Sequence, residues 1–376
     1  MPTLPDFRLE TYFARWEFSA RYHLTASDVQ TLPLSDLLAL ADDDGRERWE
    51  SLSLGYTETR GLPALREAIA ATYDQAEPDD ILCFAGAEEA IYLAMRTLLD
   101  PTDHAVVLTP NYQAAETIPL SVCEVTGVAL QPGDGWALDV DAIAAALRPN
   151  TKLVSVNFPN NPTGALPTPD AWSRLVRLCD ERGITLFSDE VYRGLEANPL
   201  PQATDLSGTA ISLNVMSKAY GLPGLRIGWV ACRDRTVLDR LERAKHYTTI
   251  CNAGPSEVLA LIALRARDRI LERNRGIVAR NLPLFGEFFG RYAGLFEFTA
   301  PDGGCVCYPR YLGPDGVEAM CQELVEQAGV LLLPASIYAS ELTATPTDRF
   351  RLGLGRSGPE EALAAWSDWL EKRKLS

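Results

Sequence analysis

The sequence predicts an α/β protein, with a mostly parallel, seven-stranded-type sheet in a large domain and a smaller α/β domain made from both termini. Three observations carry that expectation. Apolar runs of strand length alternate with helical patterns between Ile81 and Ala231. Four of the loops that follow strands are built from small, amide or acidic residues at intervals of roughly one βα unit, so they should gather at one sheet edge. The 376 residues suffice for two cores, assigned to 46–270 and to 1–45 plus 271–376.

In chain order, residues 9–18 read as a helix start with aromatics on one face, and 35–40 as a short second helix. No glycine occurs before Gly45. The loop 54–61 feeds a helix over 62–73, with Pro63 near its first turn, where an amide is dispensable. Strands follow at 81–84, 105–108, 123–130, 153–156, 184–187, 210–215 and 226–231, and helices at 88–99, 139–147 and 171–181. Residues 257–292 form a long helical region, expected to bend near Gly276 or Pro283. The remainder mixes strands at 305–308, 330–333 and 350–354 with helices at 316–328 and 359–373. There is no internal repeat and no low-complexity linker.

The run Gly353-Leu354-Gly355-Arg356-Ser357-Gly358 matches G-x-G-x-x-G, but a dinucleotide site needs a further strand bearing an acidic residue about 20 positions on. The expected role is instead a turn that starts the last helix, with Ser357 or Gly358 near the N-cap and Pro359 at the first helical position.

A formal net charge of −16 and a pI near 4.7 argue against nucleic acid or anionic membrane as the main partner. No apolar run approaches the ~20 residues of a membrane span, and residues 1–17 lack the pattern of a secretory signal. The eight cysteines are scattered without a C-x-x-C, and the three histidines cluster with nothing. The expectation is reduced thiols, no metal site and a cytoplasmic protein.

Lysine is scarce: only Lys152, Lys218 and Lys245 precede the pair Lys372 and Lys374. Lys218 follows a strand-like run and enters a loop of small residues, with Arg226 eight positions later. A desolvated lysine is the usual Schiff-base nucleophile, because burial disfavours its charged form. Ahead of it stand four loops. Ala85-Gly86-Ala87-Glu88-Glu89 can aim backbone amides at an anion from a helix start. Thr109-Pro110-Asn111-Tyr112 offers a flat aromatic face. Asn157-Phe158-Pro159-Asn160-Asn161-Pro162-Thr163-Gly164 is a rigid loop presenting amides. Ser188-Asp189-Glu190-Val191-Tyr192 puts a carboxylate at a strand end, costly unless a cation or protonated ring nitrogen pairs with it.

In this order the motifs N-N-P-T-G, S-D-E-V-Y and S-K-x-x-G-x-x-G-x-R resemble the fold-type I, class I/II aminotransferase family of pyridoxal-phosphate enzymes, over Tyr56 to Arg351. The resemblance implies that Lys218 carries the cofactor aldehyde covalently and shuttles a proton. It implies that Asp189 pairs with the ring nitrogen, that Asn161 and Tyr192 hydrogen-bond the ring's phenolate oxygen, and that Tyr112 stacks on the ring. Gly86, Ala87, Ser217 and Arg226, with Glu88 in the same turn, would surround the phosphate. Tyr56 would reach the phosphate of a neighbouring subunit, implying a homodimer with shared sites. Arg351 rather than Arg349 matches the arginine that grips the substrate α-carboxylate, and the implied partners are an amino acid and a 2-oxo acid.

The family's usual N-terminal glycine is missing, and Thr25-Ala26-Ser27-Asp28-Val29-Gln30 stands in its region. With Glu10 and Glu17 this gives an acidic, aromatic mouth. It reads either as a solvated helix face or as a place where Glu10 or Asp28 meets a cationic substrate side chain. The Leu-Glu-x-Tyr-Phe opening is also similar to the subgroup of cyclases that form capreomycidine and enduracididine from arginine-derived amino acids. Three functions follow: an aminotransferase first, a lyase or cyclase acting on a basic (guanidino) amino acid second, and a cofactor-binding regulatory module third. The third would need a DNA-binding domain, for which too few residues precede Tyr56.

Overall fold

The computed structural model describes residues 4–373; residues 1–3 of the N-terminal segment and Lys374 of the tail pair lie outside them. Seven strands form the central sheet: β1 (Ile81–Phe84), β2 (His104–Thr109), β3 (Glu124–Ala129), β4 (Thr151–Asn157), β5 (Thr185–Asp189), β6 (Ile211–Val215) and β7 (Gly228–Cys232). Their order is β1-β7-β6-β5-β4-β2-β3, and every pairing is parallel except the two made by β7. Strands β1, β2, β6 and β7 are buried along their whole length, as continuous apolar runs covered by helices on both faces are. The edge strand β3 is mostly half-exposed, and it carries Glu124, Thr126 and Gly127.

The reversal of β7 matters for chemistry. Its first residue, Gly228, pairs with the last residues of β1 and β6, Phe84 and Val215. The loops bearing Gly86, Lys218 and Arg226 therefore meet at one edge, although Arg226 precedes its strand and the other two follow theirs. At that edge a Cβ on Gly228 would lie 2.8 Å from the Gly86 carbonyl carbon and 2.9 Å from the Ala87 nitrogen, so only glycine allows the approach.

Two helices supply walls of the site, α1 (Arg8–Trp16) and α2 (Ala87–Leu98), while α3 (Gly254–Arg265) and α4 (Arg267–Arg291) pack in the cores. The expected single bent helix over 257–292 is two helices, broken at Ala266 (φ −96°, ψ 14°). At the junction Arg265 is held by Asp42 (3.1 Å) and Asp44 (2.7 Å), while Gly276 and Pro283 both lie inside α4. Four further helices had no counterpart in the sequence pattern, at Asp43–Glu50, Gln113–Leu120, Ala203–Leu206 and Arg235–Lys245. The first and last are set by side-chain caps, Asp42 accepting from the Gly45 amide and Asp234 from Thr236 and Val237. The expected strand at 330–333 is two pieces, Val330–Leu331 and Leu333–Pro334, which pair with different partners.

Helix α4 runs across the expected boundary at 270/271. Its Ile270 and Ile277 pack with the sheet-side residues, and its Phe285, Phe288 and Phe289 enter a second core with Leu24, Phe296, Phe350 and Trp366. That second core sits on a three-stranded antiparallel sheet of Val306–Cys307, Phe350–Gly353 and Leu333–Pro334. The last helix begins at Glu360, with Pro359 at the N-cap rather than one position inside. The glycines before it have another role: a Cβ on Gly353 would collide with the Ala26 carbonyl, and one on Gly355 with that of Asp28. They let the N-terminal segment lie against the last strand. Among the described residues, no helix is long and apolar enough to cross a membrane.

Candidate active site

A cavity of about 400 Å³ opens at the carboxyl edge of the sheet, closed on the other side by α1, the segment 23–28 and residues 351–356. It lies within the usual size of small-molecule sites, roughly 300–1,000 Å³. The structure brings the sequence-predicted residues Glu10, Asp28, Ala87, Glu88, Tyr112 and Asn161 to its walls. Asp189, Tyr192, Ser217, Lys218, Arg226 and Arg351 line it too. Tyr56 does not: its side chain is 93% exposed on the outside of the chain.

At one end the Gly86 turn, with φ +93°, opens α2. A Cβ there would sit 2.5 Å from an Arg226 guanidinium nitrogen, so glycine makes room for the arginine. Arg226 itself is in the left-handed region (φ +52°), and among the described residues its guanidinium donates only to the Pro223 carbonyl, at 3.2 Å. With Ser217 and the first amides of α2 this end is a cradle for a phosphate-like anion.

In the middle stand Lys218, on the loop after β6, and Asp189, the last residue of the adjacent strand β5. Burial lowers the Lys218 amine, against the pull of Asp28, and the amine donates to the Ser27 hydroxyl at 2.7 Å. Burial raises the Asp189 carboxyl from 3.8 to about 7; the Val191 amide, 3.2 Å from one oxygen, and Lys218 oppose the rise. A carboxyl so placed is completed by a cation, which a protonated ring nitrogen supplies. The second desolvated lysine, Lys245, differs: it is fully buried, donates to the Thr59 carbonyl at 2.7 Å and does not line this cavity.

The amide loop is fixed from below by Asn157, which donates to the Asp189 carbonyl at 3.0 Å and accepts from the Asn161 amide at 2.7 Å. The Asn161 side-chain oxygen accepts from Tyr338 (3.1 Å) and Arg351 (3.2 Å). Arg351 is completely buried; its other terminal nitrogen donates to the Thr25 carbonyl at 2.6 Å, and its Nε has no partner among the described residues. A buried guanidinium with a free donor is suited to a planar carboxylate.

At the mouth, Asp28 is paired by Arg356 at 2.9 and 3.0 Å. Glu10 and Glu88 make no ion pair among the described residues; Glu88 is hydrogen bonded by Tyr112, and desolvation with Glu10 nearby raises it to about 7. His23, beside Arg356 and Arg351, is lowered to about 4 by burial and by those two charges, so it is neutral at physiological pH. Sequence reasoning missed Ser27, Asn157, Tyr338 and Arg356 as parts of the site. Ser27 and Asn157 lie inside stretches already singled out, whereas Arg356 was hidden in the glycine-rich run and Tyr338 carried no signal.

The family model for aminotransferase class I and II matches residues 28–365. The chain belongs to that family. It is a pyridoxal-phosphate-dependent transferase, and the cradle, the free-sided lysine and the uncompensated Asp189 suit that cofactor. The chain is 29% identical to capreomycidine synthase of Streptomyces vinaceus over 98% of its own length and 94% of that protein's. It is 28% identical to the arginine–pyruvate transaminase AruH of Pseudomonas aeruginosa, over 80% and 77%. Among solved structures, a PLP-dependent aminotransferase from Streptococcus suis superposes with a TM-score of 0.92 at 30% identity, covering 99% of both chains. The PLP-dependent cyclase OrfR superposes with a TM-score of 0.89 at 25% identity, again over 99% of both.

Proposed function

We propose that the chain moves an amino group between an amino acid and a 2-oxo acid in the cavity above β5 and β6, as a cytoplasmic homodimer. One observation carries the reading: buried Arg351 lines the same cavity as the lowered amine of Lys218 and the raised carboxyl of Asp189. Pyridoxal phosphate, when bound, supplies an aldehyde and a ring that draws electrons from the substrate's Cα. Lys218 would hold that aldehyde and, once released, move the proton at Cα. Asp189 would keep the ring nitrogen protonated. Asn161 and Tyr192 would face the phenolate oxygen, Tyr112 the ring face, and Gly86, Ala87, Ser217 and Arg226 the phosphate. Arg351 would orient the α-carboxylate, and Tyr56 would serve the partner's site. The chain divides at 46–270 against the two termini, with α4 as the shared beam.

The second reading is a lyase or cyclase on a guanidino amino acid. It is favoured by the end-to-end likeness to capreomycidine synthase and by the unpaired Glu10 and Glu88 at the mouth. One experiment separates them. The yellow enzyme is mixed with amino acids, arginine and its hydroxylated derivatives included, without any 2-oxo acid. One equivalent of oxo acid per site, with conversion to the pyridoxamine form, is the expected outcome. Continued turnover without an acceptor would replace the first reading by the second.

A further inference from the structure

The segment 24–30 is clamped from two sides. On one side Gly353 and Gly355 allow its carbonyls onto the last strand, with backbone hydrogen bonds from Gly353 to Leu24 (2.8 Å) and from Gln30 to Gly355 (2.8 Å). On the other, the loop after Lys218 comes close: a Cβ on Gly221 (φ +68°) would lie 3.2 Å from the carbonyls of both Val29 and Gln30. The Arg351 bond to the Thr25 carbonyl and the Arg356 bond to Asp28 fix the residues on either side of Ser27. Ser27 thus has little freedom, and its hydroxyl stands 2.7 Å from the Lys218 amine. On its other side it reaches Tyr192, whose phenol it draws down against the upward push of burial. A hydroxyl has one proton to give and two lone pairs, so Ser27 can accept from Lys218 and still donate to Tyr192.

We propose that Ser27 is a positioning residue for Lys218, holding its amine toward the cavity by one hydrogen bond whenever the amine is not carrying the cofactor. This rests on Lys218 being the cofactor-bearing lysine, and it applies to transfer and to elimination alike. The amine is free in the half of the cycle when it must act on a proton at Cα, and reach alone does not fix its direction. A flexible four-carbon stem needs a second point of attachment, and acid–base steps lose rate steeply with misplacement. No loop motif of the chain supplies that point. It comes from the N-terminal segment, through the Ser27 hydroxyl.

The test uses Ser27→Ala and Ser27→Thr in the full chain, with Lys218→Ala as blank. Cofactor-free protein is exposed to pyridoxal across pH 6–10 (about the titration range of a shifted lysine), reduced with borohydride, and the adduct on the Lys218 peptide is quantified. Other charges facing the amine, Asp28, Asp189, Glu88 and Arg351, with the Cys305 thiol, stay in place in both variants. A hydroxyl that accepts from the ammonium favours the charged form, so its loss should lower the midpoint by about one pH unit, and threonine should restore it. In the holoenzyme, Ser27→Ala should lower kcat about tenfold with KM within about twofold. A Ser27→Ala midpoint equal to wild type overturns the proposal while Lys218 still forms its adduct. No adduct on wild-type Lys218 overturns the parent reading, and the proposal with it.

Discussion

Lys218 and Lys245 are both taken out of water, and burial lowers both amines. What surrounds them differs. Lys245 closes on the Thr59 carbonyl at 2.7 Å, with Glu89 and Glu257 near enough to favour its charge, and its ammonium lies 5.9 Å from the centre of the Phe84 ring. Lys218 meets a serine hydroxyl on one side and open volume on the other, with Asp28 favouring its charge and Arg351 opposing it. Desolvation is common to both, so desolvation alone does not make a nucleophile. The difference lies in an open face and in a partner that can let the amine go.

The sharpest break of this contrast is Lys218→Ala, which should cut turnover by about 10⁴-fold or more while circular dichroism shows an intact fold. Surviving turnover would move the chemistry elsewhere. Next is Asp189→Asn, expected to lower turnover about 10²–10³-fold through loss of the charge that faces the ring nitrogen. The same change has an opposite effect on the cofactor-free protein. A carboxyl raised from 3.8 to about 7 binds more protons folded than unfolded between those values, so wild type loses stability as pH rises through that window. Asparagine removes the penalty. Cofactor-free Asp189→Asn should therefore unfold with about 2–4 kcal/mol more resistance at pH 8, the gain shrinking toward pH 4. Denaturant melts at several pH values check the sign. Arg351→Lys should raise KM for the amino acid about 10–100-fold, with kcat changed less, because an ammonium cannot offer the planar fork. The smallest catalytic effect belongs to Lys245→Met. There kcat should stay within about threefold, while an orphaned Thr59 carbonyl costs about 1–3 kcal/mol of stability. A catalytic collapse in that variant would erase the distinction between the two lysines.

The sheet edge was legible because its parts are local. A strand, a loop of small residues and a helix start fix where Gly86, Asp189 and Lys218 point, and the strand alternation places them together. The facing wall is built otherwise. Arg351 meets Thr25 across 326 residues and Arg356 meets Asp28 across 328, and nothing in either local pattern names its partner. Asp28 was expected at the mouth as a receiver of substrate charge, and it lies there with Arg356 across it. The run 353–358 read as a turn, and its glycines proved to be the seat of the N-terminal segment. The break at Ala266 was likewise invisible, since the acidic residues that hold Arg265 come from 42–44.

The most direct measurement is to reduce the yellow holoenzyme with borohydride, digest it and locate the cofactor by mass spectrometry. The account predicts one phosphopyridoxyl group per chain, on the peptide that contains Lys218. Label on Lys245 or Lys152 instead, with Lys218 unmodified, would contradict it.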